Sequence, residues 1–184
     1  MTAVAGVVHE GRVWIGGDSG GVSNWDLTNR RDPKVFTNGP FVMGFTSSFR
    51  MGQLLQYALT APQHPDDLDT FAYLCTLFID AVRACLKTGG YAKTDNAVES
   101  GGNFLVGYRG RLFEVDSDFH VGESTDGYLA VGSGTAILHG ALFATPELPP
   151  RDRLLRSLAA AEHHNIGVRG PFVIAVEPGP GGAG

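Results

Sequence analysis

The order of helical and strand patterns restricts the fold of this chain more than any other feature. Helix patterns occur in adjacent pairs, first over residues 49–59 and about 67–88, and then over 135–143 and 151–164. Short apolar, β-branched runs precede the first pair, separate the two pairs and follow the second. Doubly wound parallel sheets alternate single helices with strands, so paired helices argue against them. We expect an α+β fold in which two antiparallel sheets stack face to face, with a helix pair outside each sheet.

The strand patterns before the first helix pair predict two hairpins. The first joins residues 2–8 to residues 12–18 through a turn at 10–11. The second spans residues 34–45 and turns at Asn38-Gly39, a dipeptide that tolerates the positive φ angles of tight hairpin turns.

Local signals set the ends of the long helix in the first pair. Asp66 or Asp67 precedes its first apolar residue and is the predicted N-cap, while Gly89-Gly90 ends it. The polar stretch 91–101 that follows has no apolar periodicity and is predicted to be a mobile loop.

Size and composition favour a single domain over residues 1–177. The chain has 184 residues, of which 43% are hydrophobic, enough for one core but too few residues for two ordinary domains. Residues 178–184 are rich in glycine and proline and are predicted to be disordered. Cys75 and Cys85 lie on one predicted helix, where a rise of about 1.5 Å per residue makes them too distant for a disulfide.

Charge and hydropathy argue against several classes of partner. The net charge is −5 and no basic run is present, which gives no support for nucleic-acid binding. No apolar run approaches the roughly 18 residues that a membrane-spanning helix needs. The N-terminus lacks the charged and apolar regions of a secretory signal, and no disulfide framework is predicted, so we expect a cytoplasmic protein.

The string Gly17-Asp18-Ser19-Gly20-Gly21 is also found around the nucleophilic serine of trypsin-like proteases. Such an enzyme needs a histidine and an aspartate, both earlier in the chain, to orient and deprotonate the serine. Only His9 precedes Ser19 here, one hairpin away. We therefore reject this function and interpret the glycines as a turn that follows a strand.

The sequence predicts neither a metal site nor a cofactor. The six histidines include no spaced ligand pair such as H-x-x-x-H, and the two cysteines are not paired. The glycines at 16–17 and 132–134 lack the lysine and the serine or threonine that follow in a phosphate-binding loop.

Thr2, Asp18 and Lys34 form the remaining constellation, at equal separations of 16 residues (18 − 2 and 34 − 18). If Met1 is removed, Thr2 carries a hydroxyl nucleophile and a free α-amine, whose ordinary pKa of about 7.7–8.0 suits a general base. A neighbouring Lys34 cation would keep the amine neutral, and Asp18 would hold that lysine charged and in place. The same residues are also compatible with an ordinary salt bridge beside a strand that begins at Thr2.

At these residues the chain resembles the proteasome β-subunits and HslV peptidases, which are N-terminal nucleophile hydrolases. With Thr2 taken as the first mature residue, Asp18 and Lys34 match the aspartate and lysine of that family without a gap. The resemblance covers about residues 2–176. It implies the four-layer αββα sandwich of the family, with two antiparallel sheets between the helix layers.

Two further motifs carry the resemblance and imply site residues. The run 41–45 is similar to the family strand whose glycine N–H forms the oxyanion hole, which implies that role for Gly44. Gly132-Ser133-Gly134 is similar to the family's G-S-G, which implies that Ser133 lies beside the terminal amine and completes the proton path. In the proteasomal branch an aspartate and a serine support this site, and Asn165 and Val168 stand in their places here.

The resemblance also implies which residues contact a substrate. By position, the residues expected to line the first specificity pocket are Gly21, Val22, Asp32, Val42 and Thr46. The acidic Asp32 among them would favour basic substrate side chains.

The implied function is that of a threonine endopeptidase within a self-compartmentalising ring. The family resemblance implies homo-oligomeric rings of six or seven subunits, stacked in layers and fed with protein substrates by an ATP-dependent unfoldase. Two alternatives stay open at this point. One is an N-terminal nucleophile amidase that acts on small amides without a ring, and the other is a catalytically silent structural subunit that keeps the fold.

Overall fold

The computed structural model describes residues 2–23, 26–95 and 98–179. Within these residues the chain forms thirteen strands, five α-helices and one π-helical segment. The strands, in chain order, are β1 Ala3–His9, β2 Arg12–Gly17, β3 Gly20–Ser23, β4 Asp26–Asn29, β5 Val35–Asn38, β6 Phe41–Phe45, β7 Lys93–Asp95, β8 Val98–Ser100, β9 Phe104–Tyr108, β10 Arg111–Val115, β11 Val121–Glu123, β12 Tyr128–Gly132 and β13 Val173–Val176. The helices are α1 Phe49–Tyr57, α2 Thr70–Tyr73, the π-helical segment Leu74–Phe78, α3 Ile79–Thr88, α4 Thr135–Phe143 and α5 Pro150–His164.

Nine of these strands form two antiparallel sheets. The first sheet has the strand order β12-β1-β2-β13, and the second has the order β11-β10-β9-β6-β5. The remaining four strands pair as two antiparallel ribbons, β3 with β4 and β7 with β8. The chain thus enters the first sheet, crosses to the second, and returns to the first at β12 and β13.

Three apolar clusters hold the layers together. The cluster between the two sheets contains Val4 and Ile15 from the first sheet and Val42 and Leu105 from the second. A second cluster packs β1 against α4 and α5, with the members Ala3, Ala5, Val7, Ala130, Leu138, Leu142, Leu154, Leu158, Ala161 and Val168. The third packs the outer face of the second sheet against α1, α2 and α3, through side chains such as Met43, Leu55 and Phe78. The predicted αββα sandwich is confirmed.

The first hairpin turns at Glu10 and Gly11, as the sequence predicts. Glu10 and Gly11 both adopt positive φ angles, 48° and 69°. A two-residue turn with both φ angles positive matches the twist of the strands that it joins. This turn fixes the β1–β2 register, in which Val8 pairs with Val13.

Several local predictions are wrong. Asp69, rather than Asp66 or Asp67, caps the long helix, because its carboxylate accepts hydrogen bonds from the N–H groups of Phe71 and Ala72. The stretch 91–101 is not a featureless loop, since it contains the β7–β8 ribbon. Pairing between two short polar strands leaves no apolar periodicity in the sequence, which explains the error.

Three other expectations concern the C-terminal tail, the membrane and the cysteines. Residues 180–184 of the predicted disordered tail 178–184 lie outside the described residues. Among the helices that the structure describes, none combines the length and apolarity needed to cross a membrane. Cys75 and Cys85 are both free thiols, as their separation along the helix predicts.

Candidate active site

The pairing of the first sheet brings three distant parts of the chain to one edge beside Thr2. β1 begins at Ala3, which pairs with Gly132 at the end of β12. On the other side of β1, Asp18 follows the end of β2, and its N–H donates to the Ala3 carbonyl at 3.1 Å. Residues from the start of the chain, the end of β2 and the end of β12 therefore meet at this edge.

Asp18 and Lys34 form a buried ion pair at the same edge. The Lys34 Nζ lies 2.8 Å from Asp18 Oδ1, and the two side chains are 1% and 0% exposed. Lys34 Nζ also donates to the Gly20 carbonyl at 2.6 Å. A buried charge pair is tolerated only when further hydrogen bonds satisfy both partners, and both partners have them here.

The Asp18 carboxylate connects four segments of the site. Its Oδ1 accepts from Ala3 N at 3.0 Å and from Lys34 Nζ, and its Oδ2 accepts from Gly20 N at 3.1 Å and Arg169 N at 3.3 Å. Ala3 N and Lys34 Nζ thus donate to the same oxygen atom. The lysine ammonium therefore lies beside the backbone of Ala3, the residue that follows Thr2. Asp18 therefore holds both the Lys34 ammonium and the backbone of Ala3 in place.

Burial shifts the ionisation of Lys34. Removal of the ammonium group from water lowers the pKa of Lys34 below its ordinary value, and the Asp18 carboxylate opposes that shift. The guanidinium of Arg30 adds a smaller lowering effect because it is a like charge nearby. The lysine is thus a cation held in place by Asp18 whose proton is easier to remove than that of an exposed lysine.

Ser133 lies against the backbone of Thr2. The Thr2 nitrogen donates to Ser133 Oγ at 3.2 Å, and Ser133 Oγ donates to the Thr2 carbonyl at 3.3 Å. This approach depends on Gly132, whose φ angle is 101°, because a Cβ there would lie 2.3 Å from the Thr2 carbonyl oxygen. The glycine before Ser133 therefore allows β12 to bring the hydroxyl to the Thr2 nitrogen.

Gly44 lies in the interior of the second sheet. Phe45 N donates to the Lys34 carbonyl and Thr46 N donates to the Asn103 carbonyl, so alternation along β6 turns the Gly44 N–H toward its register partner Leu105. A Cβ on Gly44 would lie 2.6 Å from Val4 Cγ1, between the sheets. This register argues against Gly44 as the oxyanion donor, and that role stays a prediction.

The residues expected to contact substrate are found in different environments. Gly21 and Val22 lie on β3, and Thr46 follows β6 with its Oγ1 3.5 Å from the position that a Gly132 Cβ would take. Val42 is fully buried between the sheets, so the expectation that it lines a pocket is wrong. Along β6 the side chains alternate between faces, and that of Val42 points into the cluster between the sheets.

Asp32 is already paired with a cation. Its carboxylate accepts hydrogen bonds from Arg30 Nε at 3.1 Å and from Arg30 Nη2 at 2.8 Å. These hydrogen bonds hold the pKa of Asp32 below its ordinary value. An ion-paired carboxylate offers little attraction to a basic substrate side chain, which weakens the expectation drawn from Asp32.

Asn165 and Arg169 contribute contacts that sequence reasoning did not assign. Asn165 Nδ2 donates to the Ser133 carbonyl at 2.8 Å, and Gly167 N donates to Asn165 Oδ1 at 2.9 Å. Val168 is fully buried in the cluster beneath α4 and α5. The loop after α5 therefore reaches Ser133 through Asn165 and Asp18 through the Arg169 N–H. A backbone donor such as that of Arg169 leaves no signal in the sequence.

Ser19 of the trypsin-like string and the histidines considered as metal ligands are rejected as functional residues, and the contacts of Ser19 and His64 are structural. Ser19 Oγ donates to the Pro171 carbonyl at 2.6 Å and is buried, so it ties two loops together. His64 is buried, where it stacks on Tyr73 with ring centroids 4.2 Å apart. Among the residues that the structure describes, no group of three metal-ligating side chains is close enough to hold an ion.

The order of the strands in the two sheets and the helix layers outside them identify the fold. The chain has the fold of the proteasome-like N-terminal nucleophile hydrolases, as structural comparison shows. It is similar to BPH, a β-subunit-like proteasome homologue of Thiobacillus denitrificans, with a TM-score of 0.80 and 22% identity over 97% of this chain and 100% of that one. A second structure of that protein, in complex with epoxomicin, superposes with a TM-score of 0.78.

Two further solved structures share this fold. HslV from Trypanosoma brucei has a TM-score of 0.69 and 17% identity over 95% of this chain and 98% of that one. Anbu, an ancestral β-subunit from Yersinia bercovieri, has a TM-score of 0.67 and 16% identity over 96% of this chain and 82% of that one. No protein-family model matches the sequence, and no curated protein matches it by sequence.

Proposed function

We propose that this protein is a threonine-type peptidase whose nucleophile is Thr2 after removal of Met1. The observation that carries the proposal is the shared Asp18 Oδ1, which accepts from both Ala3 N and Lys34 Nζ. A structural salt bridge would not need a buried lysine held at the first N–H of the strand that follows Thr2. A nucleophile with its own amine as base does need a cation there.

The reaction follows from the groups around Thr2. The Thr2 Oγ attacks the substrate carbonyl carbon, and the α-amine takes the hydroxyl proton as a new C–O bond forms. The amine then gives that proton to the leaving nitrogen while the C–N bond breaks, which leaves an ester on Thr2. Water, deprotonated by the same amine, hydrolyses the ester and restores the enzyme.

Lys34 and Ser133 tune the amine in this scheme. The buried Lys34 cation makes a second positive charge on the amine unfavourable, so the amine stays a neutral base at lower pH. In the structure the Thr2 nitrogen is a peptide N–H that donates to Ser133 Oγ. After removal of Met1, the same contact would hold the free amine in place and orient its lone pair. Asn165 holds the Ser133 carbonyl and so stabilises the segment that carries this hydroxyl.

The proposal includes an assembly, supported only by the fold that this chain shares with HslV. Homo-oligomeric rings of six or seven subunits in the cytoplasm would enclose the site, and an ATP-dependent unfoldase would deliver proteins to it. Light scattering of the purified protein tests the assembly. A monomer that hydrolyses small amides would favour the amidase alternative.

Intact-mass spectrometry tests the nucleophile. We expect the purified protein to lack Met1 and to gain one adduct with the epoxyketone epoxomicin, and we expect Thr2→Ala to fold normally without any adduct. Thr2→Ser provides a control, because serine also carries its hydroxyl on Cβ and this variant should still form the adduct. An adduct on Thr2→Ala, or peptide cleavage by that variant, would overturn the proposal.

A further inference from the structure

The side chain of Arg30 lies over the strand whose Gly20 carbonyl binds Lys34. It runs over Gly21, where a Cβ would lie 2.9 Å from Arg30 Cδ, and its backbone N–H donates to the Ser19 carbonyl. Gly21 follows Gly20, whose carbonyl accepts from Lys34 Nζ. Arg30 therefore covers the residue that follows the one whose carbonyl binds the buried lysine, on the same strand β3.

Phe49 joins Arg30 to Lys34. The Arg30 Cζ lies 4.0 Å from the centroid of the Phe49 ring, and Lys34 Nζ lies 5.7 Å from the same centroid. Phe49 in turn packs edge-on against Phe45, with centroids 5.8 Å apart. An aromatic face that stacks a guanidinium fixes the plane of that group and leaves its N–H donors pointing sideways.

Asp32 uses only part of the hydrogen-bonding capacity of Arg30. A guanidinium carries five N–H donors in a rigid fork, and the hydrogen bonds to Asp32 come from Nε and Nη2. The Arg30 side chain is 35% exposed, so solvent or a ligand reaches it. The fork of Arg30 thus retains donors for a second carboxylate beside the one it already binds.

Resting on the proposed peptidase function, we propose that Arg30 determines specificity and selects substrates with an acidic side chain next to the scissile bond. The substrate carboxylate would pair, in the plane of the guanidinium, with the donors that Arg30 does not give to Asp32. Lys34, held 2.8 Å from Asp18, is buried and already paired, so the partly exposed Arg30 is the cation that would meet the substrate.

A pair of matched peptides tests this specificity. The peptides differ only in Glu or Gln before the cleaved bond, and the ratio of their kcat/KM values is measured. We expect a ratio of roughly tenfold or more in favour of Glu, as for hydrogen bonds to charged groups. Arg30→Gln should bring the ratio close to one, whereas Arg31→Gln, a change at the exposed neighbouring arginine, should keep it.

Asp32→Asn provides a second variant, in which Arg30 itself is not substituted. Removal of the competing carboxylate should raise the Glu/Gln ratio, because more of the guanidinium becomes available. A preference for basic peptides that Asp32→Asn abolishes would overturn the inference. Activity with a Glu/Gln ratio of one in the unmodified protein would also overturn it and leave the peptidase proposal standing. Cleavage of no peptide at all would overturn both.

Discussion

The Oδ1 atom of Asp18 lies 2.8 Å from Lys34 Nζ, in a pair whose side chains are almost completely buried. That oxygen also accepts from the first N–H of β1, so one carboxylate holds both the cation of the site and the strand that carries Thr2. Stability and the proposed chemistry therefore depend on the same side chain.

Asp18→Asn should destabilise the fold strongly. The substituted amide removes the negative charge that compensates Lys34, and it places an NH₂ group opposite backbone N–H donors. Breaking a buried pair in this way lowers the free energy of unfolding by about 3–5 kcal/mol. Urea denaturation measures the loss. Asp32→Asn is the matched control. The Asp32 side chain is 44% exposed, so loss of its ion pair with Arg30 should lower the free energy of unfolding by at most about 1 kcal/mol. Equal losses in the two variants would contradict the buried pair.

Ser133→Ala should lower activity without much effect on stability. Ser133 is exposed, but its Oγ is the acceptor for the Thr2 nitrogen, and loss of that hydrogen bond should reduce kcat/KM by roughly tenfold to hundredfold. The acidic limb of the pH–rate profile should also move, since the group that orients the base has changed. Ser124→Ala, which removes only an acceptor for Asp126 N, should leave rate and profile unchanged. A Ser133→Ala profile identical to that of the unmodified protein would argue against this role.

Gly44→Ala should destabilise the protein through overpacking. The added Cβ would lie 2.6 Å from Val4 Cγ1 and 2.8 Å from Ile15 Cγ2, and such crowding between the sheets costs about 1–3 kcal/mol. Gly140→Ala, at an exposed position of α4 with open space around it, should instead stabilise by about 0.5–1 kcal/mol. Thermal unfolding of the two variants should therefore shift in opposite directions, and a shift in the same direction would contradict the packing.

Tyr73 should make the protein sensitive to alkaline pH. Burial raises the pKa of Tyr73 to about 12, and its OH donates to the Pro62 carbonyl at 2.7 Å. An unfolded tyrosine ionises near pH 10, so the stability due to the neutral phenol is fully present below about pH 10 and is lost as the pH rises toward 12. Tyr73→Phe should lose less stability than the unmodified protein between pH 9 and 11.5, as urea denaturation measures. Tyr57→Phe, a change at an exposed tyrosine, should follow the unmodified protein.

Much of the architecture could be predicted because its signals are local. The paired helix patterns and the turn at Glu10-Gly11 depend on neighbours a few residues apart, and the structure has both. The errors occur where local signals are weak. The β7–β8 ribbon has no apolar periodicity, and the N-cap at Asp69 competes with two earlier aspartates in the same loop.

The sequence by itself determined the layers of the fold and the equal spacing of Thr2, Asp18 and Lys34, because turn chemistry and side-chain period act along the chain. Only the tertiary structure decided that the Gly44 N–H faces Leu105 and that Arg30 lies over Phe49 beside Lys34. The direction of a backbone N–H depends on strand register, and a contact between distant side chains depends on how strands from separate parts of the chain pair. Neither is encoded in the spacing of residues along the sequence.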